Sequence, residues 1–474
     1  MQRVNVTGRG RRAMADLMRT DGVQVVRQTL RDLGGGRYRV QAFGEADDLT
    51  RLAQAGFDVE HIEDVPSGPP AMPGPPEVGA GPRRRRGPIP LPAPPSGPGR
   101  APGGYLSVDE IENRIDELAA KYPRAVSVID LPHQTWEGRA CRAIRIGCGD
   151  ANVPGVLLLG GVHAREWGSP DILIAFAERL VSAWHADKGI AIGKRRFRAP
   201  NVQRLVEDLT LYIVPQVNPD GRHHSFTVDP MWRKNRRPAP AGHAGEERCI
   251  GVDLNRNFDF LWDFAKAFDP DAAVACSTKP CDPEVYVGPR AFSEPETRNV
   301  ASLLDEHPEI AFLVDLHSYG ELIMYSWGDD ENQTSNSSMA FTNMAWDGKR
   351  GMFGDRYREF VLDDDRQSLV RLGTAMQAAI AAARGRRYAL QQSANLYPTA
   401  GTSDDYSYSR HLVDSSLTKV LAFTVEWGSQ DNPTPFHPPY DEMKKIIAEV
   451  TSGLLAFCGE AVQISCANPL QEVS

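Results

Sequence analysis

The sequence has few cysteines, no long apolar run and no excess of positive charge. Its 474 residues include 7 cysteines, too few for a disulfide-based scaffold. No stretch approaches about 18 consecutive apolar residues, so we expect no membrane span, and residues 1–20 lack the apolar core of a secretory signal. Lys and Arg number 53 against 62 Asp and Glu, a net charge of −9 that argues against a nucleic-acid partner.

The overall amino-acid composition is that of a globular protein. Hydrophobic residues make up 41% of the chain and charged residues 24%, which allows a sizeable core. The spacing of Cys249, Cys276 and Cys281 leaves two interpretations open, a bridge among them or reduced, partly buried thiols.

A segment rich in proline and glycine divides the chain. Residues 66–104 contain 14 Pro and 9 Gly in 39 positions, a composition that cannot build a packed core and predicts a linker. The run from Arg83 to Arg86 within it is interpreted either as a solvated charge run or as a trypsin-like cleavage site. The division predicts a small N-terminal module over 1–65 and a main domain over 105–474.

Hydrophobic patterns predict the fold class of both parts. In the first part a strand over 37–43, a helix over 45–55 and a strand over 57–62 indicate a small α/β module. In the main domain, short apolar runs rich in branched residues are typical of strands buried on both faces, and helical segments lie between them. We therefore predict an α/β fold, a mixed, largely parallel twisted sheet with helices on both faces. The runs span 156–159, 211–214, 310–316 and 421–425, and the helical segments span 171–184, 367–383 and 441–457.

Potential metal ligands follow two of these runs. His163 and Glu166 come after the first run, and His317 ends the third, at the strand ends where ligands gather in such folds. Two imidazoles and one carboxylate can form a three-ligand zinc site with a position left for water. His243 and Glu246 repeat the spacing of the first pair, but in a Gly/Pro-rich stretch without a preceding strand, so we interpret that copy as chance.

Two further polar groups suit a hydrolytic site. Glu426 follows the fourth run directly, at a strand end where burial should raise its pKa and suit it to move a proton between water and a leaving amine. The alternative is a capped or salt-bridged strand terminus. Arg256 beside Asn255 could hold a carboxylate through its two-pronged guanidinium, although a solvated surface arginine is the alternative.

Taken together, these motifs resemble the zinc metallocarboxypeptidases of the carboxypeptidase A/B type. The resemblance covers residues 105–457 and implies the fold of that family. It also implies one Zn²⁺ held by His163, Glu166 and His317, with Asp253 orienting His163. The blocks that carry it, in chain order, are HAREW at 163, NPDG at 218, MWRKN at 231, GVDLNRN at 251, LHSYGELIMYSWG at 316, LYPTAGTSDDY at 396 and TVEWG at 424.

The same resemblance assigns the catalytic and carboxylate-binding roles. It implies that Glu426 is the catalytic glutamate and that Arg233 polarises the scissile carbonyl. Asn255 and Arg256 would hold the terminal carboxylate of the substrate. Arg165 would assist along the substrate path.

Substrate preference rests on the block at 396–406. The resemblance implies that Tyr397 closes over the substrate and that Asp404 lies at the bottom of the specificity pocket, where the B type has aspartate. This predicts an exopeptidase that prefers C-terminal Lys or Arg, with broader specificity left open. Tyr406 departs from the tryptophan usual in the family, so the shape of the pocket can differ.

The resemblance also bears on the first part of the chain and on alternative functions. The N-terminal module with its linker resembles a pro-segment in position, which implies an activating protease at the Arg83 to Arg86 run. Relatives of this type are often exported, which favours an extracellular location, yet no signal is visible. The alternatives are a cell-wall peptide or amide hydrolase of the same fold and a catalytically silent peptide-binding relative.

Overall fold

The computed structural model describes residues 1–17, 20, 22–64, 102–149 and 153–467. The predicted linker, apart from its last three residues, lies outside this part of the chain, and so does the run from Arg83 to Arg86. The strands are β1 (Gln2–Arg9), β2 (Val23–Gly34), β3 (Arg37–Gly44), β4 (Asp58–Asp64), β5 (Val126–Asp130), β6 (Arg142–Ile146), β7 (Gly155–Gly160), β8 (Ile190–Ile192), β9 (Arg195–Phe197), β10 (Thr210–Val214), β11 (Ile310–Ser318), β12 (Leu322–Tyr325), β13 (Asn332–Gln333), β14 (Glu359–Phe360), β15 (Ala389–Gln392) and β16 (Leu421–Trp427). The helices are α1 (Arg11–Leu17), α2 (Ala46–Gln54), α3 (Val108–Lys121), α4 (Gly168–His185), α5 (Ala199–Glu207), α6 (Pro219–Thr227), α7 (Phe264–Ala267), α8 (Pro295–Glu306), α9 (Asp363–Arg384), α10 (Ser403–Val413) and α11 (Tyr440–Ala467).

The N-terminal residues form a four-stranded antiparallel sheet in the order β2, β3, β1, β4. The strand β3, the helix α2 and the strand β4 lie within two residues of the predicted elements. The structure adds β1, α1 and β2, which the sequence analysis did not predict. In β1 the alternate residues Val4 and Val6 are buried against Val40, Leu49 and Leu52, so this sheet has an apolar core of its own.

The main domain is built on an eight-stranded sheet in the order β15, β12, β16, β11, β7, β10, β6, β5. The four predicted apolar runs are its adjacent central strands β16, β11, β7 and β10, which pair in parallel and are almost completely buried. Antiparallel pairs join β6 to β10, β5 to β6 and β12 to β16. The predicted mixed, largely parallel sheet is confirmed.

Helices cover both faces of this sheet. The Phe457 ring of α11 contacts Phe312 of β11 and Phe423 of β16 on one face. Side chains alternate along a strand, so Asp315 of β11 and Thr424 of β16 point to the other face. There they bond to the first two residues of α10. Burial of both faces explains why the central strands are apolar throughout.

The C-terminal helix α11 has the length and apolar character that a membrane span needs. Its residues 440–465 have a mean hydropathy of 1.3, but 72% of the apolar window is buried inside the fold. The helix packs against α9 and α4. Its apolar surface therefore belongs to the protein core, which contains Val450, Leu454 and Phe457.

Two local interactions hold individual segments of the main domain in place. Ser107 and Glu110 form the predicted capping box, in which Ser107 Oγ accepts from Glu110 N and Glu110 Oε2 accepts from Ser107 N. Cys249 and Cys281 form a disulfide, the first of the two interpretations left open for the cysteines.

Candidate active site

Three potential metal ligands meet at the carboxyl edge of the central sheet. His163 and Glu166 lie in the loop between β7 and α4, and His317 lies near the end of β11. His163 Nδ1 is 2.8 Å from Glu166 Oε1 and 3.0 Å from His317 Nδ1, and His317 Nδ1 is 3.0 Å from Glu166 Oε2. All three side chains are buried. The donor atoms thus converge on one small volume, as the sequence predicts.

The loop that carries His163 is held by the segment NPDG. Asn218 caps the helix α6 by accepting a hydrogen bond from Gly221 N at 2.9 Å. Its Nδ2 donates to Val162 O at 3.2 Å and to Lys234 O at 3.1 Å. This buried amide therefore joins the residue before His163 to the residue after Arg233.

The chemistry of the donor set fits a zinc ion. Burial alone would raise the pKa of Glu166, but the positive charge of His163 and His317 and their hydrogen bonds lower it below its ordinary value. Burial opposes the charged form of His317, yet Asp315 and Glu166 raise its pKa well above the ordinary value. A site this rich in negative charge favours a cation, and two imidazoles with one carboxylate suit Zn²⁺.

Each imidazole faces a second carboxylate on its outer nitrogen. His163 Nε2 lies 3.2 Å from Asp253 Oδ1, and His317 Nε2 lies 3.1 Å from Asp315 Oδ2. Burial would raise the pKa of Asp253, but Arg233, Arg256 and His163 hold it well below the ordinary value. Outer carboxylates of this kind fix the imidazole tautomer and leave Nδ1 to bind a metal.

Two arginines share a buried glutamate beside the three potential ligands. Arg233 donates through Nη2 to Asp253 Oδ2 at 2.9 Å and through Nε to the main-chain oxygen of Glu284 at 3.1 Å. Its Nη1 lies 3.3 Å from His163 Nδ1. Arg165 makes a two-pronged pair with the Glu284 carboxylate, at 2.8 and 2.6 Å. Both guanidinium groups are therefore fixed by bonds to neighbouring protein groups.

Asn255 and Arg256 follow Asp253 in a short 3₁₀ turn. Arg256 Nε donates to Ala275 O at 2.6 Å, and Asn255 Oδ1 accepts from Ser403 N at 2.9 Å. Gly401 lies against this turn with a φ of +66°, and a Cβ there would come within 2.4 Å of Arg256 O. The close approach explains why glycine is required at 401.

Asp404 lies in the first turn of α10 and is one of the residues that line a cleft beside the three potential ligands. It is 3% exposed, and its Oδ2 accepts hydrogen bonds from Thr424 Oγ1 at 3.1 Å and Ser393 Oγ at 3.3 Å. Burial, together with repulsion by Asp404 and Asp329, raises the pKa of the neighbouring Asp405 well above its ordinary value. The cleft is lined by His163, Glu166, Arg233, Asn255, Arg256, His317, Met324, Ser393, Leu396, Tyr397, Thr399, Thr402, Asp404, Thr424 and Glu426.

Glu426 lies on β16 directly beside His317 of β11, because the two are paired in the register of the parallel strands. It is 8% exposed, and its Oε2 is buried without a hydrogen-bond partner among the described residues. Burial and repulsion by Glu166 raise its pKa to about 8, against the opposing charges of His317 and Arg233. This direction agrees with the raised pKa expected from its position, and Glu426 lines the same cleft as the three potential metal ligands.

Comparison with known proteins agrees with this arrangement. A sequence model of the zinc carboxypeptidase family matches residues 111–453. The chain belongs to the zinc carboxypeptidase family. It is 31% identical to carboxypeptidase B of Astacus astacus over 326 residues, covering 68% of this chain and 88% of that one, and 29% identical to human carboxypeptidase B, covering 68% and 64%. The crystal structure of carboxypeptidase A from Helicoverpa armigera superposes with a TM-score of 0.66 over 98% of both chains, at 20% identity.

The resemblance to the carboxypeptidase A/B type is thereby confirmed. The protein is a metallocarboxypeptidase, a zinc-dependent hydrolase of peptide bonds. The triad of His163, Glu166 and His317 can bind one zinc ion. Peptides with a free C-terminus are the substrates that fit such an enzyme.

The predicted site residues of this carboxypeptidase converge in the structure. Nearly all of those predicted by number line the cleft. Arg165 and Asp253 are not among the lining residues. Asp253 contacts His163, and Arg165 pairs with Glu284, whose main-chain oxygen accepts a hydrogen bond from Arg233. Tyr406, which stands where the family usually has tryptophan, packs with its ring 5.0 Å from that of Phe292 and 5.7 Å from that of Phe258.

Two functional neighbours were missed by the sequence analysis. Asp315 comes two residues before His317, and residues at that interval share a face of a strand, so this spacing was an available signal. Glu284 had no local signal, because its partners Arg165 and Arg233 are far away in the sequence.

The contact between Asp315 and His317 generates a prediction about metal affinity. We expect Asp315→Asn to weaken zinc binding by about 10- to 100-fold, because the outer partner of a ligating imidazole would lose its charge. Competition with a chromophoric chelator measures the dissociation constant. Asp305→Asn, which changes an exposed carboxylate on α8, is the matched control. Equal zinc affinities for the two variants would contradict the role of Asp315.

Proposed function

We propose that this carboxypeptidase removes single C-terminal Lys or Arg residues from peptides. The observation that carries the proposal is the buried Asp404 carboxylate, which lines the same cleft as the zinc triad and Arg256. The names of the carboxypeptidase B relatives agree with this preference. A buried carboxylate pairs favourably with a cationic side chain and leaves an apolar one facing an uncompensated charge.

Glu426 is the proton carrier of the proposed reaction. Zinc held by His163, Glu166 and His317 would supply Lewis-acid activation of water and of the scissile carbonyl. Glu426 accepts the proton that the water gives up and donates it to the amine that leaves. Its buried, unpaired Oε2 supports this role, since a general base needs an oxygen that is not already bonded.

The remaining residues bind and orient the substrate in this proposal. Arg256 and Asn255 hold the terminal carboxylate, because guanidinium groups bind carboxylates in a two-pronged way. Arg233, close to His163, stabilises negative charge that develops on the carbonyl oxygen. Tyr397, which is partly exposed and lines the cleft, closes over the bound residue, and Arg165 contacts the peptide further along.

The role of Glu426 is tested by removing its charge. We expect Glu426→Gln to lower kcat by about 10²- to 10⁴-fold, the usual contribution of a general base, with zinc still bound. Steady-state hydrolysis of a peptide and metal analysis of the same sample measure both quantities. Glu178→Gln, on the partly exposed face of α4, serves as the control. Full activity of the zinc-loaded Glu426→Gln variant would overturn the assignment.

The role of Asp404 is tested by two peptides that differ only in a final Arg or Phe. We expect Asp404→Asn and Asp404→Ile to lower kcat/KM for the Arg peptide by roughly 100-fold, which corresponds to about 3 kcal/mol for one lost partner of a buried ion pair. The Asp404→Ile variant should gain on the Phe peptide, because the pocket becomes apolar. Asp414→Asn, at the exposed end of the same helix, is the control. An unchanged Arg preference would rule out Asp404 as the selector.

The N-terminal module is a second part of the proposal, as a pro-segment that limits access to the cleft. Its Phe43 packs in one apolar cluster with Tyr319, Phe436 and Met231 of the main domain. Tyr319 follows His317 by two residues and donates to Gln41 Oε1 at 3.1 Å. The module therefore covers the surface next to the zinc triad.

Arg3 is the main polar contact between the module and the main domain. Its guanidinium is almost completely buried and donates to the main-chain oxygens of Gln430, Asn432 and Pro433 at 2.9 to 3.1 Å. It also bonds to Glu63 and Gln41 of the module itself. A cut at the Arg83 to Arg86 run would release this module from the rest of the chain.

This part of the proposal predicts that intact chains are less active than cut ones. Cleavage in the linker with release of the module should raise kcat/KM. In the uncut chain, Arg3→Ala should raise it by about tenfold, because a hydrogen bond to a charged group is worth about 1.5–3 kcal/mol. Asn5→Ala, which removes a bond to Glu60 within the module, is the matched control. Equal rates before and after cleavage would refute an inhibitory module.

The two alternative functions find less support. A hydrolase of cell-wall peptides or small amides has no need for the carboxylate-binding pair Asn255 and Arg256, yet both line this cleft. A silent binding relative has no need for Glu426 and three ligands in a common site. The Glu426→Gln experiment distinguishes an active enzyme from a silent relative, because a silent relative has no peptidase activity for the substitution to lower.

A further inference from the structure

A second group of metal-binding side chains lies around the Cys249 to Cys281 disulfide. Within the described part of the chain, His243, Glu246, Cys249 and Cys281 bring one donor atom each to within 4.8 Å of one another. His243 Nδ1 is 3.1 Å from Glu246 Oε1 and 3.5 Å from Cys281 Sγ, and Glu246 Oε2 is 3.5 Å from Cys249 Sγ. From the sequence alone, His243 and Glu246 are interpreted as a chance copy of the zinc motif.

Successive turns of the backbone place His243, Glu246 and Cys249 on one side of their chain segment. Glu246 N donates to His243 O, and Cys249 N donates to Glu246 O, both at 3.0 Å. The three side chains thus recur at every third residue and face the sulfur of Cys281. Polar groups arranged around a sulfur pair in this way form a four-donor set once the sulfurs are thiolates.

We propose that these four residues bind a zinc ion, separate from the catalytic one, when the disulfide is reduced. Two thiolates, one imidazole and one carboxylate are all ligands of tetrahedral structural zinc sites, and sulfur ligands select zinc over magnesium or calcium. The site is therefore distinct in chemistry from the triad, which has no sulfur. The same loop pair is cross-linked covalently when oxidised and through the metal when reduced.

Exposure and charge allow such a site. The side chains of His243 and Glu246 are each 40% exposed, so an ion can enter from solvent, whereas Cys249 is buried. Two thiolates, one carboxylate and Zn²⁺ carry a net charge of −1. The guanidinium of Arg248 donates to Glu246 Oε2 at 3.1 Å and offsets that charge.

A dithiol as the reductant balances the conversion of the disulfide form into the zinc-bound form. The dithiol gives two electrons and two protons to the sulfur pair and becomes a disulfide itself, which leaves Cys249 and Cys281 as thiols. Each thiol then loses its proton to solvent as its sulfur binds zinc. No other co-reactant is needed.

The cross-link joins two chain segments that lead to residues beside the active site. Cys249 comes four residues before Asp253, the partner of His163. Cys281 comes three residues before Glu284, the partner of Arg165. A metal in place of the bridge would hold these two segments together in a reducing environment.

Metal counting in both redox states tests the proposal. The full chain is reduced without denaturant by a phosphine, which becomes its oxide by taking the oxygen of one water molecule while that water supplies the two thiol protons. It is then equilibrated with Zn²⁺ under argon and freed of excess metal. We expect two zinc ions per chain after reduction and one in the oxidised protein. Loading with Co²⁺ instead should give a thiolate-to-cobalt absorption in the near ultraviolet in the reduced sample alone, since the catalytic triad has no sulfur ligand.

Variants identify the ligands. The double variant His243→Ala with Glu246→Ala keeps both cysteines and should lose the second ion and weaken the cobalt absorption, while Cys148→Ser, which removes an exposed thiol, should keep both. One zinc per reduced wild-type chain would overturn the proposal, and so would a second zinc that persists in the double variant. The ion count of the oxidised protein reports the catalytic site separately, so failure here leaves the proposed peptidase function untouched.

Discussion

The active site depends on an alternation of opposite charges buried at the carboxyl edge of the central sheet. Glu284 pairs with Arg165 and lies against Arg233, Arg233 pairs with Asp253, and Asp253 faces His163. Each of these groups would be costly to bury alone, and removal of one partner of a buried pair typically costs about 3–5 kcal/mol. The groups therefore hold one another in place, and the arrangement exists before any substrate enters.

The sheet supplies the second constraint, because parallel strands end at a common edge. Register pairs His317 with Glu426 on neighbouring strands, so that a metal ligand and a carboxylate with a raised pKa are adjacent. Two residues before His317, Asp315 Oδ2 accepts a hydrogen bond from Ser403 Oγ at 2.6 Å. Asp404, the residue after Ser403, lines the cleft. The first turn of α10 thus bonds to Asp315, the outer partner of His317, and carries Asp404, which we propose selects the substrate.

The surface beyond the cleft is organised around one aromatic ring. The guanidinium of Arg165 lies 4.5 Å above the ring of Phe436, and Tyr319 packs edge-on against the same ring at 4.8 Å. Phe43 of the N-terminal module approaches it at 6.5 Å. The module thus packs on the same ring as Arg165, which we propose contacts the substrate, and the proposed inhibition rests on this shared contact.

The sequence by itself determined the central strands and the residues at their ends. Branched apolar runs are typical of strands buried on both faces, and the polar residues that follow parallel strands, such as His317 and Glu426, meet at one edge of the sheet. The strand β1 was not predicted, although Val4 and Val6 alternate. Tertiary structure alone decided which cysteines pair, where Arg3 docks and that Glu284 bonds to Arg165. These contacts join residues between 32 and 430 positions apart, and no local period in a sequence carries information about such distances.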